Sequence, residues 1–183
     1  MDNGCATPSR RAPCAVRAGR IAAVAVVALG GLTLAKSLNH RGALVLHNDT
    51  PSEAEGLYLR TEGRPAVGRL VSFMTPPAAA PYVDRHLAML RRTPVLKALA
   101  AGPGDFVCTA SGRLVIDGQV MAAVAAKDPR GVRLPQWNGC RRLRAGEWFA
   151  FSDRVPNSFD SRYFGPISAD QVIAAYRPLW VSR

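Results

Sequence analysis

Two side chains in this sequence pair a hydroxyl with an amine in settings that would make them reactive. Ser52 stands in the run Asn48-Asp49-Thr50-Pro51-Ser52-Glu53-Ala54-Glu55-Gly56-Leu57-Tyr58. Pro51 fixes its own φ and biases Thr50 toward extended backbone, and Gly56 permits a turn that other residues resist. A serine between two such constraints can be held in one pose, although the same residue types also build ordinary surface turns. Lys97 is the single lysine in the apolar run from Pro94 to Ala101. In a strand it shares a face with Val95 and Leu99, and lysines seldom point into a core without reason. Burial disfavours the ammonium form. An ordinary lysine, with a pKa of about 10.4, is neutral only about 0.04% of the time at pH 7. A neutral amine can take the proton of a serine hydroxyl, which is the chemistry of a Ser–Lys pair. The alternative for Lys97 is an edge-strand lysine pointing to solvent. A third polar run is Asn157-Ser158-Phe159-Asp160-Ser161-Arg162-Tyr163-Phe164-Gly165-Pro166. Asp160 and Arg162 are two apart, so a strand puts them on one face, either as a structural salt bridge at a turn or as support for the other two residues.

The elements that must position these residues read as mainly β. Gly68-Arg69-Leu70-Val71, Gly104-Asp105-Phe106-Val107 and Gly146-Glu147-Trp148-Phe149 repeat one pattern, a turn feeding a strand. Leu114 to Met121 reads as a hairpin with Asp117-Gly118 as a type I′ turn. Thr75 to Pro81 is a Pro/Ala linker, and Tyr82 to Arg92 carries Val83, Leu87 and Leu90 at helical spacing beside Arg85, Arg91 and Arg92. That short basic amphipathic helix either rests on a membrane surface or packs on the sheet. Ile173 to Trp180 predicts a last strand with Trp180 in the core.

With 183 residues and 48% hydrophobic content, the chain can build a packed core, so disorder is not the default. A net charge of +11 favours contact with anionic surfaces. There is no continuous Lys/Arg block, zinc-knuckle spacing or RNA-binding signature, so no nucleic acid partner is expected. Residues 1–20 hold Arg10, Arg11, Arg17 and Arg20 against one acid, Asp2. Ile21 to Ala35 is uncharged, and Lys36 closes it. Basic flank, apolar run and polar exit predict a signal-anchor helix over residues 21–38, with Lys36 snorkelling. A cleaved signal, with Thr33-Leu34-Ala35 as a small-residue site, and a buried core helix are the alternatives. The charge bias leaves residues 1–20 cytoplasmic and residues 39–183 outside. Cys5 and Cys14 then face a reducing compartment, while Cys108 and Cys140 reach an oxidising one, where only one pairing is open to them. No C-x-x-C pair occurs, and His40, His47 and His86 share no ligand spacing, so neither a metal nor a cofactor is expected.

Taken together, the serine, lysine and 158–166 segments resemble the signal peptidase I family, membrane-anchored serine proteases with a serine–lysine dyad. The sequence is most similar to the conjugative-transfer branch, the TraF-type peptidases. Ser-Phe-Asp-Ser-Arg-Tyr-Phe-Gly-Pro and the Leu-Lys-x-x-x-x-x-Pro-Gly-Asp spacing from Leu96 to Asp105 carry most of the likeness, and the pair Cys108 and Cys140 also looks like this branch. The resemblance implies Ser52 as nucleophile, Lys97 as general base and Thr50 as an oxyanion donor beside the Ser52 N–H. Such donors typically lower a barrier by about 3–4 kcal/mol. It further implies that Ser158 orients the lysine and that Asp160 and Arg162 form a supporting pair. The implied fold is an antiparallel β-sheet, signal-peptidase-like or LexA-like catalytic domain behind one N-terminal membrane-anchor helix. The implied activity is removal of signal or leader peptides from exported precursors at the bacterial inner membrane, with the catalytic domain on the periplasmic side. The branch implies maturation of a conjugative pilin, with cyclisation as a variant outcome. The partners are then a precursor protein and membrane lipids. One departure stands out: Glu53-Ala54-Glu55 puts two acids where the family has an apolar residue near the substrate cleft. The alternative that follows is a catalytically impaired periplasmic assembly protein of a conjugation or type IV secretion system. A cytosolic LexA-like autoprotease is a further rival, against which the run from Ile21 to Ala35 argues.

Overall fold

Glycine- and proline-marked turns feed the chain into short strands, and the computed structural model describes residues 42–182 of it. The basic N-terminus (1–20), the anchor (21–38), Cys5 and Cys14 lie outside the described residues. Among the described residues no helix is long and apolar enough to cross a membrane. The strands are β1 (Val45–Asn48), β2 (Gly56–Thr61), β3 (Leu70–Phe73), β4 (Val95–Ala101), β5 (Phe106–Ala110) and β6 (Arg113–Ile116). They continue with β7 (Gln119–Ala123), β8 (Cys140–Arg142), β9 (Glu147–Ala150), β10 (Ile167–Ser168) and β11 (Val172–Val181). One sheet runs β1-β2-β11-β3-β4-β9-β10 and a second runs β7-β6-β5-β8. Every named pair is antiparallel. The mainly β, antiparallel expectation therefore holds. All three glycine-led segments enter strands, and Asp117 (φ 47°) with Gly118 (φ 84°) makes the expected turn between β6 and β7.

Three expectations fail in detail. The Pro/Ala stretch is not an extended linker: Pro77–Ala79 forms a 3₁₀ turn that runs into helix α1 (Ala80–His86). The basic helix does not reach Arg92. Leu87 leaves the helical region at φ −135°, and a 3₁₀ turn at Ala88–Arg91 follows. Its Tyr82 and Val83 are buried against the protein, so the basic residues Arg85, Arg91 and Arg92 form a solvated face. Trp180 is not in the core but 77% exposed. It lies beyond the stretch of β11 that pairs with β3, which ends at Tyr176↔Leu70, so only β2 flanks it. Pro178 falls on this one-sided stretch, beside a register irregularity between Pro178 and Trp180, the kind of place where a strand tolerates a missing N–H. Asp160 and Arg162, for which a salt bridge at a turn was one of the open readings, pair at such a turn rather than along a strand. Asp160 caps a short helix, α2 (Ser161–Phe164), its carboxylate accepting from the Arg162 N–H.

Two apolar clusters meet at β4. Val95 and Leu99 pack with Val71, Phe73, Phe164 and Ile167. Ala101, at the far end of the strand, joins Val107, Leu114, Phe149 and Phe151 between the sheets. Each fully buried Leu, Val or Phe contributes about 1.5–3 kcal/mol of transfer free energy. β4 is thus fixed from both ends, and a side chain midway along it has little freedom to move. Cys108 and Cys140 are directly opposite each other on β5 and β8 and form a disulfide, as expected.

Candidate active site

Lys97 occupies that midpoint. Its neighbours along β4, Leu96 and Leu99, are buried, and it pairs with Val71 of β3. The residue is 3% exposed. Burial pushes the Lys97 amine below the ordinary lysine range. The carboxylates of Glu53 and Asp160 oppose that shift, and the Arg162 guanidinium adds to it. The Lys97 Nζ makes a short hydrogen bond to the Ser52 Oγ. Sequence positions 45 apart are thereby in contact.

Ser52 lies in the connection between β1 and β2, and the surrounding residues hold that connection by its own carbonyls. Asn48 closes it at the base: its Nδ2 donates to the carbonyls of Thr50 (2.8 Å), Glu53 (3.2 Å) and Ala54 (3.1 Å). Its Oδ1 accepts from the Thr50 N–H and from the Thr50 Oγ1 (2.7 Å). The Tyr58 hydroxyl donates to the Ala54 carbonyl at 2.5 Å. The Ser152 hydroxyl donates to the Ser52 carbonyl from a hundred residues away. Gly56 ends the connection at φ 137°, and a Cβ there would collide with the Trp180 carbonyl oxygen of β11. Any other residue would be strained by φ alone and would also push β2 off β11.

Glu53, the acid expected near the substrate cleft, does not line it. Its side chain turns inward, is 8% exposed, and its Oε1 accepts from the Ala98 N–H at 3.1 Å. Glu55 is exposed and also lies off the cleft. The cleft is a cavity of about 520 Å³ that holds Ser52 and Lys97 and is lined by apolar residues such as Leu46, Leu87, Leu90 and Val95. A larger hollow of about 650 Å³ over Ala88, Met89, Arg91, Arg92 and Thr93 includes neither Ser52 nor Lys97.

Of the residues read from the sequence, the fold brings Ser52 and Lys97 into contact and pairs Asp160 with Arg162. That pair is bidentate, Nε to Oδ1 at 2.8 Å and Nη2 to Oδ2 at 2.9 Å, with Arg162 1% exposed. Arg162 also donates to the carbonyls of Ala123 and Ser158, and the Ser152 N–H donates to Asp160. Thr50 sits two residues before Ser52, but its hydroxyl donates to Asn48. The Ser158 Oγ is buried without a hydrogen-bond partner, so it makes no bond to Lys97 here. Sequence reading did not assign Asn48, Ser152 or an inward Glu53. Asn48 carried a signal, since an asparagine two before a threonine favours an Asx turn. Ser152 carried none. Among the described residues no group of three His, Cys, Asp or Glu side chains stands ready to hold a metal ion.

The profile of the family described as "Signal peptidase, peptidase S26" matches residues 16–180. The plasmid transfer protein TraF of Escherichia coli is 30% identical over 166 residues, 84% of this chain and 93% of its own length. The conjugal transfer protein TraF of Agrobacterium fabrum is 34% identical over 145 residues, 73% of this chain and 80% of its own. A solved signal peptidase I from Enterococcus faecalis covers 61% of this chain and 96% of itself at 19% identity. The TM-score of that match is 0.35.

Proposed function

The chain belongs to the signal peptidase family S26, of the TraF type, and from that premise we propose that it is a serine endopeptidase working through a Ser52–Lys97 dyad. The observation that carries this is a buried amine in hydrogen-bond contact with the Ser52 hydroxyl at the bottom of an apolar cleft. Burial lowers the cost of losing the Lys97 proton, and the free amine then accepts the Ser52 proton as Oγ attacks the scissile carbonyl. The tetrahedral intermediate places its oxyanion at the Ser52 backbone N–H. Thr50 assists only if its hydroxyl turns away from Asn48. Collapse breaks the C–N bond, and the Lys97 ammonium returns the proton to the departing amine. Water then attacks the acyl-enzyme as Lys97 takes its proton, and collapse breaks the C–Oγ bond while the Lys97 ammonium returns the proton to Ser52. The unpartnered Ser158 hydroxyl is a fitting acceptor for the ammonium formed midway.

We further propose the setting. The substrate is an exported precursor, and by analogy with the conjugal and plasmid transfer relatives, a pilin precursor of a mating apparatus. The catalytic domain works on the periplasmic side of the inner membrane, tethered by residues 21–38. The test is co-expression of a cognate precursor with wild type, Ser52→Ala or Lys97→Ala, reading the product by intact mass. Wild type alone should cleave, with either variant slowed by about 10⁴-fold or more. A product lighter by one water than the linear cleaved chain identifies cyclisation. Cleavage retained in Ser52→Ala would sink the dyad.

A further inference from the structure

Glu53 is the residue that the reaction outlined above leaves unused. It is an acid adjacent to the nucleophile, yet it is buried, turned away from the cleft, and bonded across to the residue that follows the general base. Burying a carboxylate is costly unless hydrogen bonds and opposite charge compensate. Here the Ala98 N–H does so by a hydrogen bond, and Lys97 acts on it electrostatically from beyond ion-pair distance. The charged groups acting on Glu53 are Lys97 on β4 and Arg154 and Asp153 in the loop after β9, with the Tyr58 phenol also in its field. Those acting on Lys97 are Glu53, Asp160 and Arg162. Asp160 already has a guanidinium clamped to both of its oxygens, so Glu53 is the carboxylate with no arginine clamped to it. An apolar residue of similar volume would fill this space at lower desolvation cost, and the chain carries an acid instead.

We propose that Glu53 is a positioning residue for the dyad: its carboxylate ties the nucleophile's turn to the base's strand and places a compensating negative charge beside Lys97. The inference rests on the Ser52–Lys97 reading. Burial pushes the Glu53 carboxyl above the usual range, while the Ala98 N–H, Lys97 and Arg154 hold it down. Its negative form has two opposed effects on the chemistry. It favours the Lys97 ammonium, so less free amine is present at low pH. It also stabilises the ammonium that forms as Ser52 loses its proton, so each free amine is a better base. The second effect follows the first only fractionally, as Brønsted behaviour requires.

Glu53→Gln keeps an acceptor for the Ala98 N–H and removes the charge, so it separates the two roles. Its kcat/KM profile should cross that of wild type. The acid limb moves to lower pH, making the variant faster there, and the plateau falls about threefold. A structural defect lowers the whole profile in parallel, and either a parallel or a superimposed profile overturns the proposal. Lys97 provides a readout that needs no cleavage. Lysines occur only at positions 36, 97 and 127, so amine acetylation followed residue by residue in the full-length protein reports Lys97 with exposed Lys127 as reference. The pH of half-labelling at Lys97 should fall by about half a unit or more in Glu53→Gln while that of Lys127 stays put. An unchanged Lys97 midpoint sinks the charge role even if the wild-type protein cleaves nothing. A lowered midpoint in a protein inactive on every precursor would keep the pairing and instead overturn the peptidase reading.

Discussion

A lysine that must lose its proton cannot sit where water solvates its charge. Lys97 meets that condition through neighbours that are legible only in part. The apolar residues around it in sequence left two settings open, an inward amine or an edge-strand lysine facing solvent, and β4 delivers the inward one. The groups that adjust its protonation, Glu53, Asp160 and Arg162, arrive from other segments by tertiary folding, and no spacing rule announces them. Asp160 and Arg162 illustrate the limit. Their separation by two suggested a shared strand face, whereas the pair forms because Asp160 caps α2 and the arginine folds back on it. Breaking a buried pair by removing one partner leaves an uncompensated charge. Asp160→Asn should therefore lower the unfolding free energy by about 3–5 kcal/mol, measured by urea titration. A loss under about 1 kcal/mol would mean that the carbonyls of Ala123 and Ser158 satisfy the guanidinium without Asp160.

At the level of elements, the local signals served well wherever turn chemistry decided the outcome. Glycine before a polar residue opened β3, β5 and β9, and Asp117-Gly118 closed the hairpin of β6 and β7. They served poorly where packing decided. The helical spacing of Val83, Leu87 and Leu90 continued past the point at which α1 stops, because Leu87 adopts a non-helical conformation. Trp180 looked like core because periodicity does not distinguish a flanked strand from one half-uncovered. Gly56 combines both kinds of information. Its turn-forming role was readable, while the β11 backbone lying against its Cα was not. Gly56→Ala should cost at least about 1–3 kcal/mol from backbone strain alone. It should also depress cleavage more than its thermal midpoint suggests, since it shifts the connection that carries Ser52. Full activity in a folded Gly56→Ala protein would contradict this.

For the whole molecule, a basic charge balance and an apolar run at residues 21–35 argue for work at a membrane face. The full chain should stay with the membrane pellet after alkaline carbonate extraction, and a chain lacking residues 1–38 should not. Release of the full chain into the supernatant would remove the tether from the proposal. The seven-stranded sheet also dictates an order of events during synthesis. β2, which leads out of the Ser52 connection, is flanked by β1 and by β11, and Val181 pairs with Gly56 while the Ser182 N–H donates to the Glu55 carbonyl. The nucleophile's segment is made early but is braced by some of the last residues described, a contact of very long sequence separation that forms late. A growing chain therefore emerges from the ribosome with Ser52 present and the strand that braces its connection still missing. On the proposed function, the dyad would become competent only after residue 181 has been made, long after residues 21–38 have left the ribosome.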